Sequence, residues 1–466
     1  MQESIETLVS RAQAHRNAGE NIAAINLWRE IVKRAPDNLV YQHNFAAALG
    51  DAGFSGEAAK VAGAAIDAGL DRPETHLVYA RALSGIQKNE EAESAYRQVI
   101  AKTPGDAIVH RELSQLIWMR TGDATKAEEG LRNAIAAHPD DLALQIMLGE
   151  VRGQMGDPQG QFALMKGLAD RTGQNPQVCH FAARAAMSAG AYSVALDYGR
   201  IASTAAPDED EPAAVFVTAL LANGDAKEAS RRIDVLRARR PENQYFIALQ
   251  ATAWRLLGDD RYQVLYDYDG MVFSAPLDTP RGWSGLKAYL DELSGALNDA
   301  HSSREHPFFL SVRHGSQIPS ITKFENPAMR AFSEAVRGPL EGYLAHIGEG
   351  KDPLRTRNLG GYALVDAWSV SLPPAGYHVN HVHPAGWLSS ACHLEPPADD
   401  PENPHAGWLK FGEPGCATTP VLGAERLVKP TAGTMVIFPS YMWHGTERFS
   451  KGAARLTVAA DFLPTR

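Results

Sequence analysis

Three cysteines in 466 residues are too few, and odd in number, for a disulfide framework. Cys179, Cys392 and Cys416 fit a reducing, cytoplasmic setting better than a secreted one. No run of about 18 apolar residues occurs, so no membrane-spanning helix and no membrane partner is expected. The start, MQESIETLVSRAQ, lacks the basic-then-apolar order of a secretory leader. Positive charge is also short: 45 Lys and Arg face 55 Asp and Glu, a formal net charge of −10. Without a basic run, a surface that tracks phosphates is not expected, which argues against nucleic acid as a partner. The remaining composition is ordinary for a globular chain, 44% hydrophobic and 21% charged. At ~100–200 residues per domain the length allows two to four domains. Histidine alone is unevenly placed. Of 16, three fall within six residues, His378, His381 and His383.

The first half repeats itself. Glycines at 19, 53, 85, 122, 156, 190, 224 and 258 are spaced by 34, 32, 37, 34, 34, 34 and 34 residues. Each stands between two amphipathic segments, and an alanine follows five residues on at Ala24, Ala58, Ala127, Ala195 and Ala229. The units at Gly85 and Gly156 lack that alanine. Prolines at 36, 73, 104, 139, 176, 207 and 241 keep a similar step. Glycine relieves a tight turn, alanine allows close helix packing, and proline opens the next connection. This is the pattern of the tetratricopeptide repeat, and it predicts a helical solenoid of seven or eight units over residues 1–262. Such arrays form concave surfaces that hold a peptide or protein segment. Self-association into a homodimer is the competing use.

The texture changes after residue 262. Helices are expected over the segment ending at His301 and over residues 327–347. From residue 360 short strands alternate with Pro/Gly turns, at 361–371, 377–383, 387–395, 406–412, 425–429, 433–438, 442–447 and 454–462. Eight such strands predict a jelly roll over about 360–463. The fold class is therefore α + β multidomain, a solenoid followed by a double-stranded β-helix with flanking helices.

In HVNHVHP, residues 378–384, His381 and His383 alternate with Val382. On a strand both imidazoles would share a face, a natural pair of metal ligands. His378 would face the other way. His444 lies downstream in FPSYMWHGT, and Arg455 eleven residues further in ARLTVAADF. There Arg455, Thr457, Ala459 and Asp461 share one face of a strand. A guanidinium aimed from an apolar wall is costly unless paired, and a carboxylate ligand would pair it.

The run WSV, HxHP, GWLSS, GWLKFGEP, GTMVIFPSYMWHGT, RLTVAADF resembles the non-haem iron, 2-oxoglutarate-dependent oxygenases. More narrowly it resembles a bacterial subfamily carried behind tetratricopeptide repeats. The resemblance covers about residues 265–466 and is dense over 361–462. It implies Fe(II) held by His381 and His444, with Arg455 on the distal carboxylate of 2-oxoglutarate and Thr457 assisting. Of Ser389 and Ser390, which face opposite ways, Ser390 is the choice for a cosubstrate contact. The usual carboxylate ligand is replaced by His383. Three readings of that departure stand: His383 binds the metal, it only supports the ligands, or His378 completes the set. Asp366 and Asp461 are the nearest strand carboxylates, and neither has ligand spacing.

The resemblance implies a dioxygenase that consumes 2-oxoglutarate and O2 and hydroxylates a substrate. The repeats point to a protein or peptide substrate. The competing expectations are a small-molecule oxygenase whose repeats oligomerise, a three-histidine cupin-type metalloenzyme that does not use 2-oxoglutarate, and a non-catalytic adaptor.

Overall fold

The glycine punctuation becomes a series of helix pairs. The computed structural model describes residues 3–466, and fifteen helices follow one another from Ile5–Asn17 to Gln244–Leu257. Seven of the eight punctuating glycines adopt left-handed φ, Gly19 at 75° and Gly224 at 83° among them. A side chain there costs roughly 1–2 kcal/mol. The five expected alanines are buried to 1% exposure or less, so each second helix lies tightly on the first. Asn38, Asp106 and Asn243 cap the helices that follow the proline connections, each accepting from two backbone N–H groups.

One unit corrects the sequence reading. Gly85 is the last residue of the helix Pro73–Gly85, and Gln87 takes the left-handed turn at φ 62°. Counted from Gln87, the missing alanine is Ala92, which is fully buried. Gly85 serves packing instead: a Cβ there would come within 2.4 Å of Ser55 Oγ. In the unit at Gly156 the alanine position holds Gln161, whose amide donates to the buried Glu150 carboxylate at 3.0 Å. Arg184 faces the same carboxylate at 3.1 Å.

The chain forms two compact units, one of Met1–Leu148 with Ile318–Arg330 and one of Gly149–Gln317 with Ala331–Arg466. In the first, the returning segment lays Lys323 Nζ over the Phe54 ring at 5.2 Å. The second holds the later repeats and most of the β elements. Trp443 Nε1 donates to Thr252 Oγ1 at 2.9 Å, and Arg255 pairs with Glu425 at 3.1 Å. The change from repeats to strands near residue 262 is thus not a gap in packing.

The strands are β1 (Phe273–Pro276), β2 (Val312–Arg313), β3 (Ser316–Ile318), β4 (Gly361–Leu372), β5 (Tyr377–His378), β6 (Leu388–Glu395), β7 (Leu409–Phe411), β8 (Arg426–Val428), β9 (Thr434–Pro439), β10 (His444–Thr446) and β11 (Arg455–Thr465). One sheet has the order β1-β9-β6-β11-β4-β3, a second β10-β7-β8, and a third β2-β5. The expected class, helical repeats followed by an antiparallel β domain with flanking helices, is the one adopted.

Strand β11 sits between β6 and β4 and is regular, while each neighbour carries an extra residue against it. Thr457 pairs with His393 and Leu456 with Glu395, so Leu394 of β6 is bulged. Asp461 pairs with Asp366 and Phe462 with Leu364, so Val365 of β4 is bulged.

Two expectations change. The helix predicted over 327–347 breaks into Pro327–Ala335 and Arg337–Ile347. Pro339 has no N–H for the Ala335 carbonyl, and that carbonyl accepts from Asp278 N–H at 2.8 Å. The strand predicted over 377–383 stops at His378, because beyond it the backbone pairs through an isolated bridge between His381 and His444.

Candidate metal centre and anion pocket

His381 and His444 are joined by the backbone. Each N–H donates to the other's carbonyl, at 2.9 and 3.1 Å, as an isolated bridge. His383 N–H donates to the Ser440 carbonyl at 3.0 Å. These long-range bonds, rather than strand pleating, bring the three rings together. Gly445 permits the approach, since a Cβ there would lie 2.4 Å from Asn380 Oδ1. One nitrogen from each of His381, His383 and His444 lies within 4.8 Å of the other two.

The other nitrogen of each ring is engaged. His381 Nδ1 lies 2.9 Å from the Val379 carbonyl and His444 Nδ1 2.9 Å from the Met442 carbonyl. A carbonyl only accepts, so each Nδ1 carries the proton. His383 Nδ1 faces both oxygens of Asp461, at 2.6 and 2.7 Å. Nε2 of His381 and of His444 is thereby left as an acceptor, the form a divalent metal requires, and in His383 Nε2 is the nitrogen that does not face Asp461. Burial with its neighbours pushes His381 down to about 3, and burial foremost holds His444 well below the ordinary imidazole value. The neutral form is favoured before any metal arrives.

His378 does not face away. Its ring stacks on His381 at 5.9 Å, its Nδ1 lies 2.9 Å from Ser311 Oγ, and it lines the same cavity. The departure from a regular strand after His378 explains the difference.

The same cavity holds Arg455. It is 2% exposed, and its Nε and Nη1 have no hydrogen-bond partner. Its Nη2 lies 3.3 Å from Nδ1 of His393, which is itself fully buried. Burial lowers the Arg455 guanidinium to about 10. Two unpaired donors on a buried cation form a site built for an anion, and a carboxylate matches the fork. Thr457 Oγ1 lines the cavity and makes one long bond, 3.4 Å, to the Val370 carbonyl. Ser390 also lines it, with its hydroxyl donating to the Ala460 carbonyl at 3.1 Å.

The cavity is narrow, about 40 Å³, and has an apolar wall of Val370, Leu409 and Phe438. A wider groove of about 570 Å³ shares His381, His383, Trp368 and Ser311 with it. Phe309, Leu310 and Val365 line that groove and are 44%, 40% and 52% exposed. Gln317 borders the groove as well. Arg313 does not reach in: its Nη1 donates to the Leu310 and Val312 carbonyls.

Sequence reasoning sets Asp461 and Ser389 aside and misses Ser440. Ser389 Oγ donates to Asp461 at 2.7 Å and lies 2.9 Å from Ser440 Oγ. The signal was present in the alternation that put Asp461 on the Arg455 face. Ligand spacing is the wrong test for it, because a carboxylate that supports a ligand needs none.

Residues 366–461 match a family described as "Putative 2OG-Fe(II) oxygenase". No curated protein matches the chain. Solved structures similar to it include a tetratricopeptide repeat protein from Parabacteroides merdae, 12% identical with a TM-score of 0.39, over 53% of this chain and 98% of that one. Yeast Tom70 is 15% identical with a TM-score of 0.43, over 54% of each chain. No helix among the described residues is long and apolar enough to cross a membrane.

Proposed function

We propose that the chain is a non-haem Fe(II)- and 2-oxoglutarate-dependent oxygenase that hydroxylates a protein or peptide substrate recruited by its helical repeats. One observation carries the reading. Three imidazoles with free Nε2 atoms and a buried guanidinium with free donors line one narrow cavity. The donor sets are complementary to a divalent metal and to a dicarboxylate.

In this reading His381, His383 and His444 would hold iron through Nε2. Arg455 would take the distal carboxylate of 2-oxoglutarate, with Thr457 and Ser390 as neutral neighbours. Bound iron, with 2-oxoglutarate and O2, supplies an oxidant that puts one oxygen into a C–H bond while 2-oxoglutarate leaves as succinate and CO2. The chain's own part is to hold and to exclude. The Nδ1 bonds fix which nitrogen of each ring faces inward. Val370, Leu409 and Phe438 keep water from the Arg455 fork, where a charge-assisted bond is strongest when dry. The groove of Phe309, Leu310 and Val365 offers an apolar approach for a substrate side chain.

The division of labour follows the change of texture near residue 262, with recruitment by residues 1–262 and chemistry by a jelly roll in 263–466. The three free cysteines fit a reducing cytoplasmic compartment. The test is succinate formation from 2-oxoglutarate with and without Fe(II), followed by capture of partners on His444→Ala protein and mass spectrometry for an added oxygen. Iron-loaded protein that binds no 2-oxoglutarate overturns the reading in favour of a three-histidine enzyme of another kind. Binding without turnover of any captured polypeptide favours a small-molecule substrate, with the repeats left to form a homodimer.

A further inference from the structure

We propose that Asp461 is a positioning residue that restores, through His383, the negative charge a three-imidazole metal site lacks. The inference rests on the metal reading above and extends it to a residue outside the ligand set. Two of the three inward-facing rings are backed by neutral carbonyls, those of Val379 and Met442. The third is backed by a carboxylate, with both oxygens within 2.7 Å of His383 Nδ1. A neutral imidazole that donates to a carboxylate is a more basic ligand than one that donates to a carbonyl. Seen from the metal position, the set is two ordinary imidazoles and one carrying anionic character. That matches the charge pattern of two histidines and a carboxylate.

The carboxylate is held in place by a closed circuit. Ser389 and Asp461 are cross-strand partners in β6 and β11, and the Ser389 hydroxyl donates to Asp461 at 2.7 Å. Ser389 Oγ meets Ser440 Oγ at 2.9 Å, and the Ser440 carbonyl takes the His383 N–H at 3.0 Å. Ser389 and Ser440 are fully buried. The circuit returns to the residue it started from, so ring orientation and carboxylate position fix each other. The Asp461 carboxylate thus faces the His383 ring on one side and the Ser389 hydroxyl on the other. The carboxylate sits behind the ring, on Nδ1, so it acts on the metal position through His383 and not as a ligand.

The experiment titrates metal-stripped full-length protein with Co(II) by calorimetry and records the visible spectrum of the Co(II) form. Asp461→Asn should weaken Co(II) roughly 10–100-fold and shift the visible bands, because it keeps the shape and loses the charge. Asp461→Glu should recover part of both. Ser389→Ala, which strips the hydroxyl that steadies the carboxylate, should weaken Co(II) less, on the order of 3-fold, and serves if Asp461→Asn does not accumulate as folded protein. Thermal unfolding of each metal-free variant separates a lost fold from a lost ligand. The proposal falls alone if Asp461→Asn binds Co(II) within about twofold of the parent, with an unchanged spectrum, while His383→Ala binds weakly. If the parent binds no Co(II), the metal reading falls and this one with it.

Discussion

In the helical repeats His76 places Nε2 2.8 Å from the Asp71 carboxylate, and His110 places Nε2 2.9 Å from the Pro104 carbonyl. In the β domain His381, His383 and His444 spend Nδ1 on their acceptors and leave Nε2. The bonds are alike in length, and each region uses both a carboxylate and a carbonyl close in sequence as acceptors. The difference is the nitrogen that remains. In His110 it is a buried Nδ1 without a partner, beside Gly130. In the β domain the remaining nitrogens converge. Burial of the histidine therefore does not mark the site. The choice of nitrogen does, repeated three times toward one point.

The sharpest way to break this contrast is substitution on each side. His444→Ala should reduce succinate formation to the level seen without iron, whereas His110→Ala should leave it intact in protein that remains folded. Equal losses, measured as succinate per mole of folded enzyme, would erase the distinction.

Arg455 extends the contrast to charge. In ligand-free protein it is a buried cation with unpaired donors, so Arg455→Met should raise stability by about 1–3 kcal/mol in denaturant unfolding. The same change should weaken 2-oxoglutarate roughly 100-fold in calorimetry, the worth of a charge-assisted fork. A variant both less stable and normal in binding would show that the guanidinium is structural.

Acid should act more strongly on the β domain than on the repeats, where His43 and His180 are also lowered by burial. His301 is half-buried between Ser316 and Ser369, and desolvation lowers its value from 6.5 to about 4. The unfolded chain takes up a proton near pH 6.5 and the folded chain only near pH 4. Stability is thus fully present above pH 6.5, declines as pH falls, and levels off below about pH 4. The loss is about 3 kcal/mol for this group, and His378, His393 and His444 shift the same way. Urea unfolding at pH 7.5 and 5, with His301→Gln as the comparison, measures it. An equal slope in the variant would remove His301 from the account.

The smallest effect belongs to the repeats. Ala195 sits in a cluster with Ala186 and Ala219. Ala195→Leu should cost about 1–3 kcal/mol by overpacking while Co(II) affinity stays unchanged. A change in affinity would show that the repeats and the site are coupled.

The repeats were legible because their information is local. A turn glycine and a small residue five positions on recur in most units. The exception at Gln87 was hidden because glutamine is no turn signal and a nearby Gly85 supplied a false one. The strands β6, β9 and β11 were legible from composition and alternation. The histidine convergence was read from strand parity, yet the chain leaves the sheet after His378. Its cause is pairing to His444 and Ser440, about 60 residues away, which no local period records. Asp461 was on the right face, but its role exists only in relation to His383.

Strand β11 carries Arg455, Thr457 and Asp461 at even spacing, and its neighbours carry the extra residues, Leu394 and Val365. The strand is in effect a key with fixed teeth, and the irregularity is exported to the lock. One residue added between Arg455 and Asp461 would turn one of them to the opposite face, whereas added residues in β4 or β6 have already been absorbed. Length variation should be tolerated beside this strand and not within it. One such absorbed residue, Val365, stands exposed at the groove, where tolerated variation can alter what the site admits without disturbing what it does.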